Sequence, residues 1–426
     1  MKRSILSTVV SLLLIGNFVL FSYTILPVGA YPSDTASWTI LLYFDGDQSE
    51  TTYSLAEKMK ADVRNLANVG STDEVHFLVL QDLDGMNDSM MYYVHQHFVT
   101  VYSPSMINAS WGDEVNMGDP ATLQQFMEWG IDHYPADHYN LYLNNHGGGW
   151  YGICADEHPS YDILNVSELS QVCSSIHARI GKRIDVVSMD ACLMAMTEVA
   201  YALCEDVHYL VASEGFIRTH ETLTGLYLNW HVDQIYGYLA EHPWMSPVDV
   251  CLATVETFQT DTIYILPPSI IKPQAVDTIS AIDLSYLPLL AFRLDQLAEI
   301  LLEQSLIDRI RMQWVFLQTQ SFSGGYDFVG VTYYPTYVDA YDFAYNIKRY
   351  SRHLQTRRTA QLVMDAVDDV VILERHGTCA LRGEHPDAHG ISLYHPYRSW
   401  VYDQKYSSLT FAQHTHWDEY LCSLWS

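Results

Sequence analysis

Between residues 38 and 214, apolar runs of strand length alternate with stretches of helical period. Trp38-Thr-Ile-Leu-Leu-Tyr-Phe44 is apolar at nearly every position and predicts a strand covered on both faces. Asp45-Gly46-Asp47 ends it in a turn. Tyr53 to Val69 predicts a helix with Leu55, Met59, Val63 and Leu66 on one side. Glu74–Gln81 is a second strand, Asp82–Asp88 an acidic loop, and Met90–Val101 a hairpin arm or edge strand. Asp119 and Pro120 start a helix that runs to His133, since a carboxylate caps free N–H groups and proline suits the first turn. The strand Tyr139–Leu143 then runs into Asn144-Asn-His-Gly-Gly-Gly-Trp150. A helix capped by Ser167 extends to Ile180, followed by the strand Ile184–Met189, a helix over Met194–Cys204 and the strand His208–Ser213.

This alternation predicts an α/β fold, a mostly parallel central sheet with helices on both faces. Beyond residue 230 it weakens. Leu287–Arg311 and Asp342–Leu373 have helical character, Phe328–Tyr334 and Gly390–Tyr394 strand character, and Pro267-Pro268 and Lys272-Pro273 break the chain. The expected division is a sheet domain over residues 31–235 and a mixed, largely helical region over 236–426 that packs on it.

Charge narrows the function. Lys and Arg number 22 against 51 Asp and Glu, a formal net charge of −29, which excludes a nucleic-acid binder with its basic face. The start is basic at Met1-Lys2-Arg3, apolar from Ile5 to Val28, and small at Val28-Gly29-Ala30. Residues 1–30 therefore read as a secretory signal or an uncleaved anchor, and the protein as secreted or held at the cell surface. Any membrane attachment is expected through that segment alone. Seven cysteines (154, 173, 192, 204, 251, 379 and 422) show no CxxC spacing, and an odd count leaves at least one thiol unpaired within the chain. Cys192 is the expected free thiol. Asn87, Asn108 and Asn165 open Asn-x-Ser sequons.

The chemistry concentrates at two strand ends. His146 follows one predicted strand, and Cys192 follows another in Ser188-Met-Asp-Ala-Cys192. Open α/β sheets bind ligands at the carboxyl ends of strands. A thiol before a helix gains thiolate character from the helix N-terminus, and a nearby histidine serves as general acid and base. Gly147 offers a backbone N–H that a substrate carbonyl reaches without steric block. Asp190, two residues before Cys192, either caps the following helix or enters the cleft to meet a cationic substrate group. The same glycines suit the oxyanion loop of an esterase, but no serine here has glycine at both −2 and +2; Ser213 has Gly215 alone. No HExxH supports a zinc peptidase. Thiol chemistry requires no cofactor and no metal is expected at this site. The turns at Asp45–Asp47 and Asp82–Asp88 offer oxygens that suit calcium, yet no glutamate holds the twelfth position of the loop from Asp82, and turn aspartates are the plainer reading.

Asn144-Asn-His-Gly-Gly-Gly-Trp150 and Ser188-Met-Asp-Ala-Cys-Leu-Met-Ala-Met-Thr-Glu-Val-Ala-Tyr201 resemble the clostripain family of cysteine endopeptidases, in the clan of caspases, legumain, gingipains and separase. Trp38–Asp47, Glu114–Pro120, Tyr337–Phe343 and Phe411–Leu421 add to the likeness, which spans roughly residues 38–422. The resemblance implies a caspase-like α/β/α sandwich whose catalytic domain covers residues 31–235. It implies polypeptide substrates, Cys192 as nucleophile, His146 as general acid and base, and the N–H groups of Gly147 and Cys192 as oxyanion hole. It also places Asp190 in a specificity pocket for Arg or Lys before the scissile bond. The chain departs from the family in two ways. Thr224 precedes Gly225-Leu-Tyr227 where members often carry a second acid, with Glu221 three residues earlier. Tyr151 to Ala178 contains no Lys or Arg, so a single uncut chain is expected where some members cut themselves. A chain of this fold that has lost activity and serves as a binding protein is the alternative.

Overall fold

The computed structural model describes residues 22–23, 35–47, 55–158, 161–217, 220–221, 227–228, 230–258, 262–266, 270–274, 278–322, 326–328, 331–333, 337–377, 387–396 and 398–425. Its first strands in chain order are β1 (Ser22–Tyr23), β2 (Ala36–Asp45), β3 (Val75–Asp82), β4 (Met90–His95), β5 (Phe98–Tyr102) and β6 (Ala136–Asn144). Then come β7 (Ile153–Asp156), β8 (Asp162–Leu164), β9 (Ile184–Asp190) and β10 (Val207–Ala212). A ten-stranded sheet has the order β1-β5-β4-β3-β2-β6-β9-β10, followed by Thr278–Asp283 and Val371–His376. β2, β3, β6, β9 and β10 form its parallel centre. The hairpin β4–β5 and the two late strands are antiparallel additions on either side. The order reverses at β2, because the chain leaves it for β3 on one side and returns to β6 on the other. The carboxyl ends of β2 and β6 therefore flank the crevice where such sheets take ligands.

Helices cover both faces. Above one face lie α1 (Leu55–Val69), α5 (Val232–Glu241) and α6 (Pro247–Thr257); above the other lie α2 (Pro120–His133), α3 (Val166–Ile180), α4 (Thr197–Leu203), α7 (Leu287–Leu302) and α10 (Leu354–Val370). Along β2 the pleat divides the core. Trp38, Ile40, Leu42 and Phe44 join the α1 side, while Leu41 and Tyr43 join the α2 side, all fully buried. This explains the unbroken apolar run of that strand and agrees with the predicted α/β/α sandwich. α8 (Leu306–Gln318), α9 (Ala340–Tyr350), α11 (Thr410–His414) and α12 (Trp417–Ser423) complete the helices.

Several local expectations shift. α3 is capped by Asn165 rather than Ser167: the Asn165 side chain accepts from the Glu168 N–H and the Glu168 carboxylate from the Asn165 N–H, each at 3.0 Å. Leu287–Arg311 divides into α7 and α8, and Asp342–Leu373 into α9, α10 and the strand from Val371. Residues beyond 235 do more than pack on the sheet, since two of their strands continue it edge to edge. The predicted signal lies outside the described residues except for Ser22–Tyr23, which pair in parallel with Phe98–Val99. Among the described residues no helix is long and apolar enough to cross a membrane.

Candidate active site at the strand ends

The register of β6 and β9 brings the two candidate residues to one edge. These parallel strands pair Leu143 with Met189 and Asn144 with Asp190. His146 and Cys192 each stand two residues beyond that last pair. The following turns then meet: a Cβ on Gly147 would lie 2.1 Å from the Cys192 carbonyl oxygen and 3.0 Å from the Met194 side chain. Only glycine lets the backbones approach this closely. The rest of the glycine turn is held rigidly. Gly148 N–H donates to Gly152 O at 2.9 Å, Tyr337 OH donates to Gly148 O at 2.8 Å, and Gly149 has φ 64°. The Trp150 ring packs edge-on against Tyr394 and Tyr406, so the chain beyond residue 235 clasps this loop. The Gly147 N–H has no hydrogen-bond partner among the described residues and is available to a ligand.

Cys192 is half-buried, and its Sγ accepts the Ile217 N–H at 3.2 Å. Its thiol also donates to the Ile217 carbonyl oxygen at 3.7 Å. The predicted helix does not begin at Met194. Leu193 takes a left-handed φ of 67°, its N–H donates to Gly215 O at 3.0 Å, and Ala195 N–H donates to Ser213 O at 2.8 Å. These bonds hold residues 193–196 out of a helix, against the chain leaving β10, and α4 starts at Thr197. Because a helix field fades within its first turn, the helix contribution expected for the thiol is small. The other described thiols differ in setting. Burial pushes Cys173 up to about 12 and Cys204 up to about 11, and raises Cys154 and Cys251 well above the ordinary thiol range. Cys422 is exposed, remote in sequence, and also raised. No disulfide forms among the described cysteines; Cys379 lies outside the described residues.

Asp190 is placed differently from the expectation. Its side chain is 4% exposed and faces α1, where Lys58 Nζ lies 2.7 Å from Oδ2. Tyr142 OH donates to the same oxygen at 3.0 Å, and the Asn144 side-chain amide donates to it as well. Lys58 also meets Asp62 at 2.8 Å. Asp190 thus caps no helix, and its charge is already balanced by a lysine that sequence reasoning passed over. A signal was present: Lys58 and Asp62 fall on the apolar stripe of α1 at i, i+4 spacing, an unusual place for two charges unless they pair inside. The departure at Thr224 lies outside the described residues, and Glu221 is described only as a backbone partner of Tyr227.

Comparison with known proteins bears on the family and the fold. The profile of the clostripain family, peptidase C11, matches residues 42–425. Clostripain from Hathewaya histolytica is 34% identical over 102 residues, which span 21% of this chain and 18% of that protein, under a fifth of its length. A secreted C11 cysteine protease from Bacteroides thetaiotaomicron, solved with an irreversible peptide inhibitor, superposes with a TM-score of 0.62 at 17% identity. That match covers 90% of this chain and all of the other. An inactive zymogen C11 protease from Parabacteroides distasonis gives a TM-score of 0.62 at 18% identity, covering 90% of this chain and 99% of that one. At these identities the likeness establishes the caspase-like fold.

Proposed function

The chain belongs to the clostripain family, and from that premise we propose that it is a cysteine endopeptidase in which Cys192 and His146 act as a dyad on polypeptide substrates. One observation carries the proposal: the equal overhang of both residues beyond the Asn144–Asp190 pair, with Gly147 seated against the Cys192 carbonyl. The Cys192 thiolate attacks the scissile carbonyl carbon, forming a C–S bond and an oxyanion that the Gly147 N–H receives, joined by the Cys192 N–H. His146 gives its proton to the departing amine as the C–N bond breaks. It then takes a proton from the water that hydrolyses the thioester, which releases the Cys192 thiolate and restores the starting pair.

Cleavage after Arg or Lys requires a carboxylate open to a substrate cation. Asp190 is engaged by Lys58, so we assign selectivity at this position to the pair. In the resting enzyme the lysine ammonium holds the place a basic substrate residue would take, and such a residue binds only by displacing it. Export is proposed from the basic and apolar start of the chain.

The test uses peptide substrates and a peptidyl acyloxymethyl ketone. Cys192→Ala and His146→Ala are each expected to lower kcat/KM by at least about 100-fold, the scale of a lost acid–base or nucleophilic group. The probe is expected to label Cys192 alone. Undiminished turnover in Cys192→Ala would overturn the proposal. A wild-type chain that neither cleaves nor takes the probe would favour a binding protein of the same fold.

A further inference from the structure

Three glycines in a row leave a turn with no Cβ to limit its φ and ψ, so the direction of each peptide is set by what lies around it. In the turn after His146, Gly148 N–H donates to Gly152 O at 2.9 Å. A Cβ on Gly149 would lie 2.6 Å from Met196 Sδ and 2.7 Å from the Tyr337 ring, which close off two further sides. The Gly148 carbonyl accepts the Tyr151 N–H at 3.4 Å and the Tyr337 hydroxyl at 2.8 Å. Among the described residues the Tyr337 bond is thus the short one that fixes the outer end of the turn, and it reaches across 189 positions of the chain.

Tyr337 is fully buried on a small antiparallel ribbon, Tyr337–Asp339 against Ser392–Tyr394. Its ring packs against that of Tyr394, its cross-strand partner, with centroids 6.1 Å apart. The same ribbon meets the other turn. Ser392 donates to Ala195 O twice, from its N–H at 2.8 Å and its hydroxyl at 3.1 Å, and Thr197 OH donates to Ser392 O at 3.0 Å. Just before that strand, Gly390 N–H donates to Glu214 Oε2 at 2.8 Å. Glu214 precedes Gly215, whose carbonyl accepts the Leu193 N–H. One ribbon from beyond residue 235 therefore touches the turn after His146, the turn after Cys192 and the segment that braces the second of them.

We propose that Tyr337 is a positioning residue of the oxyanion hole, an inference that rests on the dyad reading above. Its hydroxyl holds the Gly148 carbonyl and so sets the line along which the Gly147 N–H meets the developing oxyanion. Such a donor works best when it is aimed before reaction, because a donor that must turn costs reorganisation at the moment the charge appears. Tyr337 has two roles, filling the core with its ring and aiming the turn with its hydroxyl. Tyr337→Phe separates them, since the ring keeps its packing while the bond to Gly148 is lost.

The test compares two reactions of Cys192 in the full chain, wild type against Tyr337→Phe. A peptide aldehyde joins its carbonyl carbon to the Cys192 sulfur, and its oxygen takes up a proton where the oxyanion would form. Iodoacetamide is attacked at its methylene carbon and loses iodide, with no oxyanion. In Tyr337→Phe, kcat on peptide substrates should fall about 10- to 100-fold with KM within about twofold. The aldehyde should bind more weakly by a similar factor, because it resembles the transition state. The rate with iodoacetamide should stay within about twofold, since the thiol keeps its surroundings. Undiminished kcat and aldehyde binding would overturn the proposal. So would an iodoacetamide rate that falls as far as kcat, because the hydroxyl would then only support the fold around Cys192. Turnover retained by Cys192→Ala ends the dyad reading itself, whereas an inactive Cys192→Ala beside a fully active Tyr337→Phe removes the role of Tyr337 alone.

Discussion

Replacing Lys58 with methionine tests both what holds the sheet to α1 and what sets selectivity. The ammonium lies 2.7 Å from Asp190 and 2.8 Å from Asp62, and the three side chains are 4%, 4% and 6% exposed. Breaking a buried pair costs about 3–5 kcal/mol, because a charge is stranded away from water. Two features hold Lys58→Met near the lower end. Asp190 keeps the donors Tyr142 and Asn144. Asp62, already pushed up to about 6 by burial despite the adjacent lysine, takes a proton at neutral pH once the lysine is gone. The expected loss is about 3 kcal/mol, read as a lower urea midpoint at unchanged slope. Selectivity is read from kcat/KM on peptides that differ only in the residue before the scissile bond. A substrate ammonium reaching the freed Asp190 gains a charge-assisted hydrogen bond worth about 1.5–3 kcal/mol, so Arg and Lys peptides should gain about 10- to 150-fold over a methionine peptide. A stability loss under about 1 kcal/mol would refute the buried pair. An unchanged peptide profile, in a variant that shows the stability loss, would refute the placement of Asp190 beside the substrate.

Two further changes probe the same architecture. Gly147→Ala puts a Cβ 2.1 Å from the Cys192 carbonyl, a backbone atom that cannot turn aside; kcat/KM should fall at least about 100-fold for a stability loss of about 1–3 kcal/mol. Near-native turnover would show that the two turns do not touch. Glu198, in α4, accepts from the Tyr394 N–H at 2.9 Å and Tyr406 OH at 2.7 Å, yet burial pushes its carboxyl up to about 7. The folded chain therefore keeps a proton that the unfolded chain releases above about pH 4.5, and stability falls as pH rises to about 7, where the cost is complete. At about 1.4 kcal/mol per pKa unit, Glu198→Gln should remove up to about 3 kcal/mol of the stability change between pH 5 and pH 8, measured by urea unfolding; a slope identical to wild type would count against it.

Much of the sandwich was legible because its causes are local. The apolar run of β2 shows burial on both faces, Asp119-Pro120 marks the start of α2, and Gly-Gly-Gly after a strand marks a turn where backbones meet. Those same signals set His146 and Cys192 at strand ends, and the parallel register of β6 and β9 then brought them to one edge. Where α4 begins was not legible: Met194 to Met196 have helical composition but are held out of a helix by the bonds of Ala195 to Ser213 and Ser392. The late strands Thr278–Asp283 and Val371–His376 were missed for a similar reason, since a short apolar run takes its identity from the sheet edge it meets.

The sequence by itself determined the α/β/α class, the candidate nucleophile and base, and the glycine turn between them, since hydrophobic period and turn chemistry act over a few residues. The tertiary structure alone decided that Asp190 faces Lys58 and that Tyr337 holds the glycine turn at Gly148. A carboxylate looks alike in any sequence; its role depends on which charges burial brings beside it, and those come from distant parts of the chain.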